Sequence, residues 1–251
     1  MAVYTTINDG TAYYQGLSYA GDGGTTAKTY TGNSNMQPDL CVGRKTSASG
    51  DSWYWVDSTR GASRSLMSDN SNQEDGYGIG SFNADGFTVV SSGNQNTNGQ
   101  TYIKFGWKAN GGTTASNSNG TITSTVQANT TAGFSIISYT GNGTNGATIG
   151  HGLSQTPQIF FPKCLSTDTN WEMYYFPTGG TKQYGYLNLT NAFATWSYTA
   201  PTSTTIGLSG SGDSNGNGRT MIGYAFHSVQ GYSRIATYSG NGNVDLSLIH
   251  I

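Results

Sequence analysis

Apolar and polar residues alternate along much of this chain. Ile103, Phe105 and Trp107 share one face of an extended segment, and Ile222, Tyr224 and Phe226 share one face of another. A period of two puts neighbouring side chains on opposite sides of a strand, so each segment predicts a strand with one buried face. The segments are copies of one another. Gly93–Phe105 and Gly212–Tyr224 lie 119 residues apart (212 minus 93) and are identical at six of thirteen positions. In each copy a Gly/Asn-rich loop feeds the strand. Asn98-Gly99 and Asn217-Gly218 are dipeptides that a tight hairpin turn favours, because both turn residues need positive φ.

The remaining pattern repeats in the same order. Leu17-Ser-Tyr-Ala-Gly-Asp-Gly23, Ile137-Ser-Tyr-Thr-Gly-Asn-Gly143 and Ala236-Thr-Tyr-Ser-Gly-Asn-Gly242 each predict a short strand ending in a glycine turn. Pro38 and Pro157 sit at the same offset, where a proline at a strand start costs no ladder bond. Aromatic strands follow at 52–56 and 170–176. Residues 110–120 predict a flexible connector, and 121–127 an edge strand of either neighbour. No long segment has helical spacing; the best helix candidate is one turn at 191–194.

The predicted fold class is all-β: tandem antiparallel β-sandwiches, two copies and the start of a third. The expected division is an arm at 1–16, copy one at 17–111, a linker at 112–133, copy two at 134–234 and a third start at 235–245. Leu246-Ser-Leu-Ile-His-Ile251 is also what one frame of a widely used transposon-end sequencing adapter encodes, so these six residues are expected to be an artefact.

Composition narrows the function classes. Gly is 37 of 251 residues, and charged residues are only 10%, yet aromatics at 12% supply area for a core. A net charge of -2 with no basic stripe argues against nucleic acid. No apolar run approaches the ~20 residues of a membrane helix, and the first residues do not read as a signal peptide. Cys41 and Cys164 occupy non-equivalent places and are expected to be small buried hydrophobes.

Tyr139–Gly143, His151-Gly-Leu153 before Pro157, Ser81–Thr88, and Gly99–Tyr102 running into Trp107–Gly111 resemble a repeat domain of tailed-bacteriophage structural proteins. Marine phages carry it in tail-fibre-like and other virion chains. The resemblance implies a lectin-like jelly roll, a virion location after synthesis in the host cytoplasm, and other virion proteins as partners. It also allows a homotrimer and a cell-surface glycan ligand. The Asp57–Gly61 run, with Asp57 and Arg60, is absent from copy two; if it serves binding, copy two lacks that capacity.

Candidate chemistry is sparse. Asp213, Asn215 and Asn217 have the D-x-N-x-N-G spacing of a calcium loop, but the EF-hand glutamate position is Tyr224. The competing expectation is a hairpin loop whose Asn side chains bond backbone, with calcium held weakly and no other cofactor. Trp53, Trp55, Trp171 and Tyr174 are candidate sugar-stacking rings, with Asp57 and Arg60 beside them; the alternative for most is an aromatic core. Glu74 and Glu172 are the only glutamates, and no G-x-S-x-G occurs. The expectation is a non-enzymatic structural protein with glycan adhesion, or a capsid decoration or purely architectural repeat without ligand.

Overall fold

A computed structural model describes residues 6–91 and 94–240. Two β-sandwiches follow one another. The first holds β1 (Tyr14–Ala20), β2 (Thr26–Lys28), β3 (Leu40–Lys45), β4 (Tyr54–Asp57), β5 (Leu66–Met67), β6 (Ser81–Phe82), β7 (Phe87–Val89) and β8 (Thr101–Trp107). The second holds β9 (Ala115–Asn117), β10 (Ser124–Asn129), β11 (Phe134–Thr140), β12 (Thr148–Gly150), β13 (Ile159–Cys164), β14 (Glu172–Tyr175), β15 (Gln183–Tyr186), β16 (Ala194–Thr195), β17 (Thr205–Gly207) and β18 (Thr220–Phe226).

In sandwich one a sheet of order β1-β8-β3-β4-β5 faces a smaller one of order β2-β7-β6. β1 pairs with β8 while β2 pairs with β7, the nested pairing of a jelly roll. In sandwich two the order β11-β18-β13-β14-β15 reproduces the first sheet, extended by β10 and β9 at one side and β16 at the other. Registers agree as well. Trp107 lies opposite Tyr14 and Leu40; Phe226, at the repeat offset, lies opposite Phe134 and Ile159. The offset becomes 120 at β1 and β11 (134 minus 14) and 118 at β4 and β14, where Leu40 lies opposite Asp57 and Ile159 opposite Tyr175 (175 minus 57). Ile103, Phe105 and Trp107 thus take the places of Ile222, Tyr224 and Phe226.

Three apolar cores result. One lies inside sandwich one around Met36, Cys41, Val56 and Phe87. One lies inside sandwich two around Ile137, Phe160, Tyr174, Trp196 and Met221. The third lies between the sandwiches, where Leu40, Val42 and Leu66 meet Phe134, Ile136, Trp171, Ile222 and Tyr224, with Trp53, Trp55, Trp107, Phe161 and Phe226 packed against them. The large sheets therefore cover each other with their outer faces. The apolar stripe of β18 faces the sister sandwich, while Met221 and Ala225 fill the strand's own core. Both faces of β18 are apolar because both are covered.

Some expectations are corrected. The connector is pinned, because Asp39, fully buried, accepts from the N–H groups of Ala109, Gly111 and Gly112 and from the Ser58 hydroxyl. β9 and β10, drawn from the 112–133 stretch, join the second sheet. Residues 191–194 form no helix; Ala194–Thr195 is a strand paired with β15. Helical turns occur at Gly10–Ala12 and Gly212–Asn215. Cys41 and Cys164 are free and buried. The proposed adapter residues 246–251, and 241–245 of the third start, lie outside the described residues.

Candidate functional site

A cluster of charged and polar side chains lies at the interface between the sandwiches. Asp57 ends β4, and the chain turns back so that Gly61 N–H donates to Asp57 O and Arg60 N–H to Asp57 Oδ1 at 3.0 Å. Gly61 takes φ +102°, a conformation open to glycine. The turn folds Arg60 onto its own strand. Its Nε meets Asp57 Oδ2 at 2.5 Å, Nη1 meets Glu74 Oε1 at 3.0 Å, and Nη2 donates to Trp55 O at 2.9 Å. The Asp57 and Arg60 side chains are 0% and 5% exposed. Tyr224, from the other sandwich, donates to Asp57 Oδ2 at 2.8 Å and accepts from Arg60 Nη2 at 3.2 Å. Burial works against the guanidinium charge, but Asp57, Tyr224 and Glu74 hold its pKa above the ordinary value. Burial pushes the Tyr224 phenol well up. The network is an ion pair with its hydrogen-bonding capacity turned inward, and Tyr224 carries it across the interface.

A second polar seam runs beside it. Lys163 Nζ donates to Ser71 O at 3.0 Å and to Thr169 O. Thr169 N–H donates to Ser71 O, Gln73 N–H to Asp168 Oδ1, and Trp171 Nε1 to Met67 O. Burial lowers the Lys163 pKa to about 8. Sequence reasoning missed Lys163 as an interface partner and Glu74 as the second carboxylate on Arg60. Tyr224 was legible only as an apolar-face residue.

The candidate sugar-stacking residues do not assemble on a solvent face. Trp55 packs among Phe161, Trp171 and Tyr224 at ring separations of 5.8, 5.1 and 5.2 Å. Trp171 has no exposed surface. Tyr174 points into the core of sandwich two, 4.2 Å from the Trp196 ring, and its hydroxyl donates to Glu172 Oε2. A ring without exposed surface offers no plate to a sugar, so Trp171 and Tyr174 are core residues; Trp55, partly buried, is held among rings of the other sandwich, and Asp57 and Arg60 hold the interface. Trp53 is half-buried beside Phe105, with Arg44 5.7 Å above its ring.

The calcium-type loop also has another role. Asn215 is fully buried; its Oδ1 accepts from Asn142 N–H, and its Nδ2 donates to Asn142 Oδ1 and Thr144 O. Asn96 does the same in sandwich one, accepting from Asp22 N–H and donating to Asp22 Oδ1 and Gly24 O. Tyr19 and Tyr139 donate to Gln95 O and Ser214 O. Gly21 and Gly141 close against the loop so tightly that a Cβ would lie 2.2 Å from Thr97 O or 2.4 Å from Gly216 O. Asp213 Oδ1 is turned to Asn170 N–H, and Asn217 is exposed. The Asn215 oxygen is thus committed to protein. Among the described residues no three His, Cys, Asp or Glu side chains group as metal ligands. The loop is a clamp that fastens the strand-turn opening of each copy.

At the rim of the interface a hollow of about 330 Å³ remains, lined by Tyr14 and Trp107 of sandwich one, Phe226 of sandwich two, and Tyr232. A family model described as a domain of unknown function, DUF7483, matches residues 9–251 and so spans both sandwiches. No curated protein and no solved structure matches.

Proposed function

The chain belongs to the DUF7483 family, and from that premise we propose that it is a non-enzymatic structural module of a bacteriophage virion, acting as a stiff spacer in a fibre. The observation that carries this reading is the covered interface. Two sandwiches that could have been beads on a linker instead bury Trp171, Ile222 and Tyr224 between them and share the Asp57–Arg60–Tyr224 network. Relative motion of domains is the default for a small, polar junction; an apolar junction with a buried ion pair resists it. The pinned connector adds to this, since the Asp39 carboxylate holds the glycines that would otherwise be its hinge. The particle assignment is supported by the turn and strand motifs that resemble phage structural repeats.

Adhesion to a glycan is the second reading, and the aromatic-lined hollow at the rim favours it. A glycan array separates the two. The spacer reading expects no saturable binding; saturable binding lost in Trp107→Ala would replace it with adhesion. Mass spectra of purified particles test the location, with this chain's peptides expected to co-purify; their restriction to the cell lysate would count against a virion role.

A further inference from the structure

The two large sheets differ at one edge. β11 is flanked by β18 on one side and by β10 on the other, the latter pairing from Ser124↔Tyr139 to Asn129↔Phe134. Its counterpart β1 pairs with β8, and no described residue pairs with its outer edge. Tyr14–Ala20 therefore turns a row of backbone N–H and C=O groups outward, of which the Ala20 carbonyl accepts from Lys28 Nζ at 3.4 Å. The side chains show the same contrast. Ile137 and Tyr139 are buried, whereas Leu17 and Tyr19, at the equivalent places, are only partly buried. The described residues ahead of β1 do not turn back on it as 130–133 turns β10 onto β11. Asp9 caps the helical turn Gly10–Ala12, and Tyr13 O accepts from Lys108 N–H.

A second segment lacks a partner of its own. Residues 236–240 are exposed and make no hydrogen bond with the described chain; Ile235 N–H donates to Ser228 Oγ. Tyr238 is 65% exposed, and a Cβ on Gly240 would meet nothing within 4 Å, unlike the clamped Gly21 and Gly141. The sequence of this segment is that of a strand opening, with Ile235, Thr237 and Ser239 alternating with Ala236 and Tyr238.

We propose that residues 235–239 of a second copy add to the outer edge of β1, antiparallel, as β10 adds to β11, joining copies head to tail. Main-chain bonds supply the attachment: Ala236 and Tyr238 cover Tyr19 and Leu17, which turns the Thr237 N–H toward the outward backbone groups of Ser18. The contact is heterologous: each copy uses one edge and one tail and leaves one of each free. Such a contact propagates along a filament unless its rotation closes a ring. The inference goes beyond the spacer reading and is tested separately, since it concerns association in solution rather than particle location.

Sedimentation velocity of the full chain tests it across a concentration series, from about 1 µM to about 1 mM, the range in which weak contacts of this kind populate. Thr237→Pro is the decisive variant. Thr237 bonds nothing in the single copy, so the fold is unchanged, while the tail loses a donor and strand geometry. The expected result is mass rising with concentration through dimer to larger species, reduced to monomer by Thr237→Pro. A wild-type chain that stays monomeric throughout overturns the proposal, as does self-closure of the edge by the same chain's tail. Association undiminished in Thr237→Pro overturns it equally, and points to edge-to-edge pairing of two β1 strands.

Discussion

Replacing Tyr224 with Phe removes one hydroxyl and leaves the ring, which stacks on Trp171 at 6.3 Å and lies 5.2 Å from Trp55. Phe is also the natural residue at the equivalent place in sandwich one, Phe105. The change therefore isolates two hydrogen bonds, one donated to Asp57 and one accepted from Arg60. Both partners are charged and shielded from water, so Asp57 loses a donor that solvent cannot replace. A hydrogen bond to a charged group contributes about 1.5–3 kcal/mol, and the expected loss is about 2–3 kcal/mol. For a chain of this size that corresponds to a fall of roughly 5–10 °C in Tm. Urea unfolding followed by tryptophan fluorescence and far-UV circular dichroism measures it, with the midpoint falling and the m-value unchanged. Tyr238→Phe, on an exposed ring, serves as the control and is expected to change stability by less than about 0.5 kcal/mol. A Tyr224→Phe variant as stable as that control would refute the reasoning, because the network would then be open to water.

Asn96→Ala and Asn215→Ala each remove a clamp of three side-chain hydrogen bonds, and each is expected to cost about 2–4 kcal/mol by thermal melting. Calcium should move the melting temperature of the wild-type chain by less than about 1 °C, because weak or absent binding adds only a small mass-action contribution; a large shift abolished by Asp213→Ala would restore the metal site. Lys104 is buried in sandwich one with its Nζ over the Phe87 ring at 5.6 Å and donating to Gln95 Oε1, and burial lowers its pKa to about 8. The unfolded lysine titrates near 10.4, so from about pH 8 to 10 the unfolded chain binds more protons and stability should rise with pH. Above about pH 10 the trend reverses, because buried tyrosines such as Tyr139 and Tyr224 have raised pKa values and ionise first in the unfolded chain. Urea midpoints across that range should show a shallower rise in Lys104→Met, with Lys163 supplying the remainder.

The period of two and the repeated turns made the strands, their order and their doubling legible from residues alone. Which sheet covers which face was not legible, because β18 is apolar on both sides: Met221 and Ala225 on one, Ile222 and Tyr224 on the other. The same ambiguity misplaced the tryptophans. An aromatic on an alternating strand suits a sugar platform and an interface equally, and only the second sandwich packed against Trp55 decides between them. The Asp213–Asn217 spacing left a calcium loop and a backbone-bonding loop both open for a different reason. Loop geometry is local, but the group that takes the Asn215 oxygen, Asn142 N–H, lies 73 residues away. The recurrence of that asparagine as Asn96 was the available signal. The connector was misread likewise, since its glycine N–H groups are held by Asp39 from a distant strand start.

The central claim is that the two sandwiches form one body joined through their outer faces. Differential scanning calorimetry of the full chain tests it most directly. The account predicts a single transition whose calorimetric and van't Hoff enthalpies agree, since separation would uncover Leu40, Val42 and Leu66 on the first large sheet and Trp171, Ile222 and Tyr224 on the second. Two resolved transitions, each with the enthalpy of one sandwich, would contradict it.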